Sequence, residues 1–367
     1  MKKILTLILV VHGLIHLPGF IKAFAIAEME QLLISITPVL GIVWLLTALL
    51  FLVAGVFHAL GNTKWWIPGV TAVILSQTVI ILSWGDAKYG TILNLILLVP
   101  AVISAGYTSL LKEFQSVVKN DLGKGTFVSK DNLTEAEISH LPVQVQKYLR
   151  YTRSVGKPKI DNFRAEFKGG MRSKPDEAFM SLKSVQYNFY KEPSRYFFMV
   201  AKKMGLPASG LHIYCDKSAT FRVKVLNWFT VVDAKGEKLT QAETVTLFND
   251  MCLIAPGSLI DGNIEWEYID DLTVKASYSN GGYTISAVLS FNQKGKLTNF
   301  ISSDRFDTDG RYYNSYPWST PVSEYRELNG FLLPGKAKLI YHKPDGDFVY
   351  GEMEAVDVQY NVPEVSD

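Results

Sequence analysis

Apolar positions in the first third of the chain run almost unbroken, with neither a helical nor a strand period. Residues 4–26 are interrupted by little more than His12, Gly13, His16, Pro18, Gly19 and Lys22, and three stretches of the same kind follow at 38–60, 66–84 and 89–110. Each is roughly 19–23 residues long, and about 20 residues rising 1.5 Å each cross a hydrocarbon core of ~30 Å. The first stretch begins like a secretory signal, with Lys2 and Lys3 ahead of an apolar run. It lacks a small-x-small cleavage site after a short apolar core, and three more stretches follow it. The pattern predicts a four-helix transmembrane bundle over 1–111.

Beyond Leu110 charges appear, and 112–133, with Gly123 and Gly125, has the composition of an exit helix and linker. Thr134 is placed to cap a helix whose first turn carries Glu135 and Glu137, and a second short helix is expected over 142–151. From 159 onward the period becomes two. Phe163, Ala165 and Phe167 alternate with Arg164, Glu166 and Lys168, as in a half-buried strand. Comparable runs cover 185–191, 195–202, 210–216, 219–233, 263–269, 273–278, 283–292 and 297–304, then 311–316, 322–328, 335–342 and 349–360. Turn pairs such as Asn280-Gly281, Asp309-Gly310 and Asn329-Gly330 separate them and join antiparallel neighbours. One helix interrupts the series at 237–253, with Thr240 as its expected cap and Val245, Leu247, Phe248 and Met251 on its apolar face. A dozen strands are too many for a flat sheet. The expectation for 134–367 is therefore an α+β domain, a strongly curved antiparallel sheet or half-barrel with a covering helix and an apolar groove.

Four stretches carry a resemblance: Leu141-Pro-Val-Gln-Val-Gln-Lys-Tyr-Leu-Arg, Leu226-Asn-Trp-Phe-Thr-Val-Val-Asp, Pro317-Trp-Ser-Thr-Pro-Val-Ser-Glu-Tyr-Arg and Tyr341-His-Lys-Pro-Asp-Gly-Asp-Phe-Val-Tyr-Gly. Over about 134–362 they resemble an uncharacterised bacterial family of unknown function. The order of strands around one helix is in turn similar to the lipoprotein-carrier (LolA/LolB-like) fold. That resemblance implies an unclosed barrel able to hold acyl chains.

Charge narrows the partners. Thirty-seven Lys and Arg against 35 Asp and Glu leave a net charge of +2, which gives no electrostatic footing for nucleic acid. Lys and Arg near span ends favour the cytoplasmic side. Lys2, Lys3, Lys64, Lys112 and Lys119 fall on one side, whereas Lys22 and Lys88 share the other with Glu28, Glu30 and Asp86. The bias predicts an integral membrane protein with both termini and the β-domain cytoplasmic, and the family resemblance implies that the membrane is the bacterial cell membrane.

Candidate chemistry is sparse. His12 and His16, four apart on one helix face, and His58 lie within the spans, where metal or haem ligation competes with plain packing. No carboxylate or Cys lies inside the spans to complete a ligand set. Cys215 and Cys252 form no CxxC, and no phosphate loop, G-x-S-x-G or H-E-x-x-H motif is present. No cofactor and no catalytic residue is therefore assigned. The expected groove residues are Glu243, Asn249 and Asp250 on the central helix, the aromatics Trp228, Phe229, Trp266 and Trp318, and Arg326, for which a cross-strand ion pair with Glu324 is the alternative. The leading expectation is a membrane-tethered protein that binds a lipid, acyl chain or other apolar ligand. The alternatives are a membrane redox or metal protein using the histidines and a scaffold with an unknown protein partner.

Overall fold

A computed structural model describes residues 2–30, 32–124, 131–308 and 312–365. The chain divides into two compact units, Met1–Leu111 and Lys112–Asp367.

The first unit is helical: α1 (Lys2–Ile15), α2 (Leu17–Ala23), α3 (Pro38–Leu60), α4 (Trp66–Leu82), the short α5 (Trp84–Ala87) and α6 (Gly90–Gly123) up to Leu111. Pro18, near the start of α2, lacks the N–H that would continue the α1 ladder, so the helix breaks at His16. Among the described residues three stretches are long and apolar enough to cross a membrane: Lys2–Ala23, Pro38–Leu60 and Gly90–Gly123. The third expected span, 66–84, ends early, at Leu82, and α4 is apolar but only 17 residues long. Small residues let α2 and α3 approach closely. A Cβ on Gly19 would stand 2.3 Å from the Trp44 ring, and one on Gly41 would stand 2.2 Å from the Ala23 Cβ.

In the second unit the end of α6 continues to Gly123, and the expected linker over 112–133 falls partly on 125–130, outside the described residues. Two short helices follow, α7 (Glu135–Ile138) and α8 (Val143–Tyr151). Thr134 caps α7 in a reciprocal pair with Glu137. Six strands come next: β1 (Asn162–Met171), β2 (Met180–Phe189), β3 (Ser194–Lys203), β4 (Leu206–Cys215), β5 (Ser218–Val225) and β6 (Phe229–Lys235). Then come α9 (Glu237–Leu253), β7 (Ile264–Asp270), β8 (Thr273–Asn280), β9 (Tyr283–Phe291) and β10 (Leu297–Ser302). Short strands fill the next stretch: β11 (Phe306–Thr308), β12 (Tyr313–Ser315), β13 (Trp318–Ser319), β14 (Val322–Ser323), β15 (Arg326–Leu328) and β16 (Phe331–Leu333). The series closes with β17 (Lys336–Lys343) and β18 (Gly346–Tyr360).

Fourteen of these strands form one sheet in the order β6-β5-β4-β3-β2-β1-β18-β17-β13-β10-β9-β8-β7, with β14 also on β17. The return of β18 to β1 joins the two halves, while β6 and β7 are the outer strands among the described residues. The large antiparallel sheet is not closed into a barrel. On α9, Val245, Phe248, Met251 and Cys252 are fully buried, and Phe248 packs on Tyr278 of β8 and Phe300 of β10.

Several local expectations need correction. The run at 219–233 is two strands, because Leu226 and Asn227 take left-handed backbone (φ 53° and 61°) and turn the chain. The run at 322–328 is likewise broken at Glu324 (φ 52°). Thr240 is not the cap of α9. Gly236 holds that position, and the Thr240 hydroxyl donates to its carbonyl while accepting from the Ala219 N–H. The expected strand at 311–316 begins at Tyr313, and residue 311 lies outside the described residues.

Gly169 sits where β1 meets β18, next to a register shift at Glu166/Phe167. A Cβ there would lie 2.0 Å from the Glu352 carbonyl oxygen, so any larger residue must push the strands apart. Gly169→Ala is predicted to destabilise the domain by about 1–3 kcal/mol. Denaturant unfolding of the detergent-solubilised protein checks this, and an unchanged midpoint would show that the two strands separate freely.

Candidate functional site

Strand alternation sends every second side chain to one face, and antiparallel register lines those side chains up across neighbours. Asn188 pairs with Arg195 and Arg195 with Tyr214; two residues along, Gln186 pairs with Phe197 and Phe197 with His212. A polar stripe thus crosses β2, β3 and β4. On α9, Glu243, Thr246 and Asp250 follow the i, i+3, i+7 spacing of a single helix face. The two stripes meet.

Asp250 Oδ2 accepts from Arg195 Nε at 2.8 Å, Gln186 Nε2 at 2.7 Å and Asn188 Nδ2 at 3.0 Å. The other end of the Arg195 fork donates to Glu243 Oε2 at 3.2 Å and to Gln186 Oε1 at 3.1 Å. Arg305, arriving after β10, donates from Nε to Thr246 Oγ1 at 3.2 Å and bonds the Tyr341 hydroxyl. Its guanidinium lies 4.6 Å from the Trp318 ring, with Nη2 3.8 Å from Glu243 Oε1. His212 Nε2 stands 3.4 Å from Glu243 Oε2 without hydrogen-bond geometry. Glu243 is 1% exposed. Burial alone would raise its carboxyl, but His212, Arg195 and Arg305 outweigh it and hold Glu243 below the usual carboxylate range. Burial raises Asp250, against the opposing pull of Arg195, Asn188 and Gln186. Burial also pushes His212 down to about 4; Glu243 opposes the shift, and Arg195 and Arg305 add to it.

This network floors a cavity of about 810 Å³ between α9 and the sheet. Its walls are largely apolar: Leu182 of β2, Phe197 and Met199 of β3, Phe221 and Val223 of β5, Leu239 of α9, and Leu339 and Met353 of β17 and β18. Most charged groups around it are matched, since Lys336 faces Glu324 and Lys343 faces Asp307. The Arg172 guanidinium instead bonds the Val349 and Pro175 carbonyls and packs on Phe179 and Phe348.

Of the residues expected in a groove, Glu243, Asn249, Asp250 and Trp318 line this cavity. Asn249 donates to Thr320 Oγ1 at 2.6 Å. The others lie elsewhere. Trp228 and Phe229 are exposed at the β5–β6 turn, and Trp266 packs half-buried on the core from edge strand β7. Arg326 pairs with Glu354 at 3.3 Å and Glu324 with Lys336 at 2.8 Å. Arg195, His212 and Arg305 were not singled out by sequence reasoning. For Arg195 and His212 the available signal was one ionisable residue in an apolar run, Arg-Tyr-Phe-Phe and Leu-His-Ile-Tyr, although alternation alone does not say which face is concave; Arg305 lies in no such run.

In the helical unit, His12 Nε2 lies 2.9 Å from Asn94 Oδ1, His16 Nε2 lies 2.9 Å from Ser76 Oγ, and His58 Nδ1 lies 2.8 Å from Thr6 Oγ1. Asn94 in turn donates to Gln77, and Gln77 to Thr91. His12 and His16 thus join a ladder of hydrogen bonds between helices. Among the described residues no three His, Cys, Asp or Glu side chains converge as a metal set. Both cysteines are free thiols.

The sequence profile of DUF6544, a family of unknown function, matches residues 131–353. No curated protein matches the chain. The crystal structure of a LolA superfamily protein from Nitrosomonas europaea is similar at 11% identity and a TM-score of 0.30, over 60% of this chain and 95% of that one.

Two predictions follow from the buried network. Arg195→Met leaves Glu243 and Asp250 without their shared cation, and is predicted to cost about 3–5 kcal/mol in unfolding free energy. A loss below about 1 kcal/mol would show that the network does not hold α9. His212, depressed from 6.5 to about 4, stays neutral in the fold while the unfolded chain takes up a proton. Its contribution is therefore complete above pH 6.5 and is lost as pH falls toward 4. The melting temperature of the purified protein should drop across that window, and His212→Gln should flatten the drop.

Proposed function

This chain belongs to DUF6544, a family of unknown function, and we propose that its half-barrel binds a lipid, an acyl chain or another apolar molecule at the membrane. The observation that carries the reading is the cavity itself. At about 810 Å³ it falls within the roughly 300–1,000 Å³ of small-molecule pockets, and it combines apolar walls with a few convergent polar groups. Each methylene buried there contributes about 0.8 kcal/mol. Ten of them would contribute roughly 8 kcal/mol, against an association cost of about 4–15 kcal/mol. Long chains are therefore favoured over short ones. The network beneath supplies polarity without a loose charge, since Arg195 and Arg305 already face Glu243 and Asp250.

In this reading the apolar helices α1–α4 and α6 form a four-span bundle that keeps the β-domain at the bilayer, with both termini cytoplasmic. Although short, α4 would reach about 26 Å, a mismatch that local thinning of the bilayer absorbs at modest cost. No residue is assigned a catalytic role. The cavity binds by excluding water, and its floor orients whatever polar end enters.

Native mass spectrometry of the protein extracted in mild detergent tests the proposal. The expected result is a ladder of bound lipid masses on the full-length chain. Ala242 and Val225 line the cavity, so Ala242→Phe and Val225→Phe should fill space and lower retained lipid several-fold while the protein stays folded. Equal lipid retention by both variants would reject the cavity as the site.

A further inference from the structure

The β3–β4 and β5–β6 turns lie side by side at one end of the sheet. Lys203 pairs with Leu206, enclosing a two-residue turn in which Met204 (φ 51°) and Gly205 (φ 80°) are both left-handed. Val225 pairs with Phe229 around a three-residue turn. The Leu226 N–H donates to the Pro207 carbonyl at 2.7 Å and the Ser209 hydroxyl to Asn227 Oδ1 at 2.8 Å, so the two tips are held together.

What these tips present to solvent is unusual. Met204 is 93% exposed, Phe229 67%, Val231 56%, Trp228 50% and Leu206 46%. Asn and Gly are the residues that fit left-handed turn positions, whereas Met204 and Leu226 occupy such positions here without their ease of backbone. The turn geometry therefore gives no reason for apolar side chains at this end. A contiguous exposed apolar patch of this kind marks a contact surface.

We propose that these two tips dock onto an anionic lipid bilayer, inserting Met204, Trp228 and Phe229 at headgroup depth with Lys202, Lys203 and Lys224 on the phosphates. The charge pattern selects this occupant. No Asp or Glu occurs within 199–209 or 222–232, where three lysines flank the apolar tips. Lys is depleted from the cores of protein interfaces. At a membrane surface, by contrast, lysines reach anionic headgroups, each strengthening attachment on the order of five-fold, and Trp prefers the interfacial layer. The same chain carries helices long and apolar enough to cross a membrane, so a bilayer is its natural neighbour. Lys203, Val225 and Val231 also line the cavity, so docking would set the cavity rim against lipid. The inference itself stands whether or not the cavity is filled.

Nitroxide labels test this in the full-length protein in nanodiscs, in a Cys215→Ser background. Labels are placed through Met204→Cys and Phe229→Cys, with Lys294→Cys, exposed at the β9–β10 turn, as control. The two tip labels should collide with oxygen more than with a water-soluble nickel chelate in nanodiscs of equal phosphatidylcholine and phosphatidylglycerol. The control should show the reverse. Phosphatidylcholine alone, or Lys202→Glu with Lys203→Glu and Lys224→Glu, should return the tip labels to the aqueous pattern, and circular dichroism checks that the variant is folded. Aqueous accessibility at both tips in anionic nanodiscs overturns the proposal. Protection from both collision partners marks a protein contact and overturns it as well.

Discussion

Everything in the second unit depends on how a helix with carboxylates on one face is taken out of water inside a curved sheet. Glu243 and Asp250 can be buried only because Arg195 stands between them, with Gln186 and Asn188 completing the coordination of Asp250 and Arg305 approaching Glu243. Buried charges carry desolvation penalties that pairing barely recovers. The gain is in placement. Sliding or rotating α9 by one residue would strand two carboxylates among apolar side chains, so the helix has one allowed position.

That position divides the hollow of the sheet. One face of α9 carries Val245, Phe248, Met251 and Cys252 into the core, where Phe248 stacks on Tyr278. The other carries Glu243, Thr246 and Asp250 toward β2, β3 and β4, where the walls do not close up and a cavity remains. A purely apolar helix could settle against either wall and fill the space. The ionic face instead ties α9 to β2 and β3 through the long Arg195 and Gln186 side chains, and the hollow lies beside that contact.

The coarse plan was legible because it rests on local pattern, run length in the first third and alternation beyond it. Unbroken apolar runs gave the helical region, and alternation with turn pairs gave the antiparallel sheet; both survive in the structure. Boundaries failed where backbone conformation departed from side-chain type, as at Leu226 and Asn227, which interrupt an otherwise continuous strand pattern with positive φ. The site was half legible. Glu243, Asn249 and Asp250 stood out as polar residues on a helix expected to cover the sheet, and Trp318 as a large aromatic. Arg195, His212 and Arg305 come from three segments brought together only by strand order, which no local window contains. Trp228 and Phe229 are expected in a groove because large aromatics are usually turned inward, whereas the β5–β6 turn exposes both.

The two edges β6 and β7 never meet. In a sealed barrel the girth is set by ladder hydrogen bonds all the way round, and widening it means breaking a seam. Here the sheet resembles a cupped hand rather than a ring: its curvature can relax by small changes of twist spread over many strands, with every rung intact. Under the proposed function, breadth of fit to differently sized guests would then be a property of the backbone, available without any loop having to move aside.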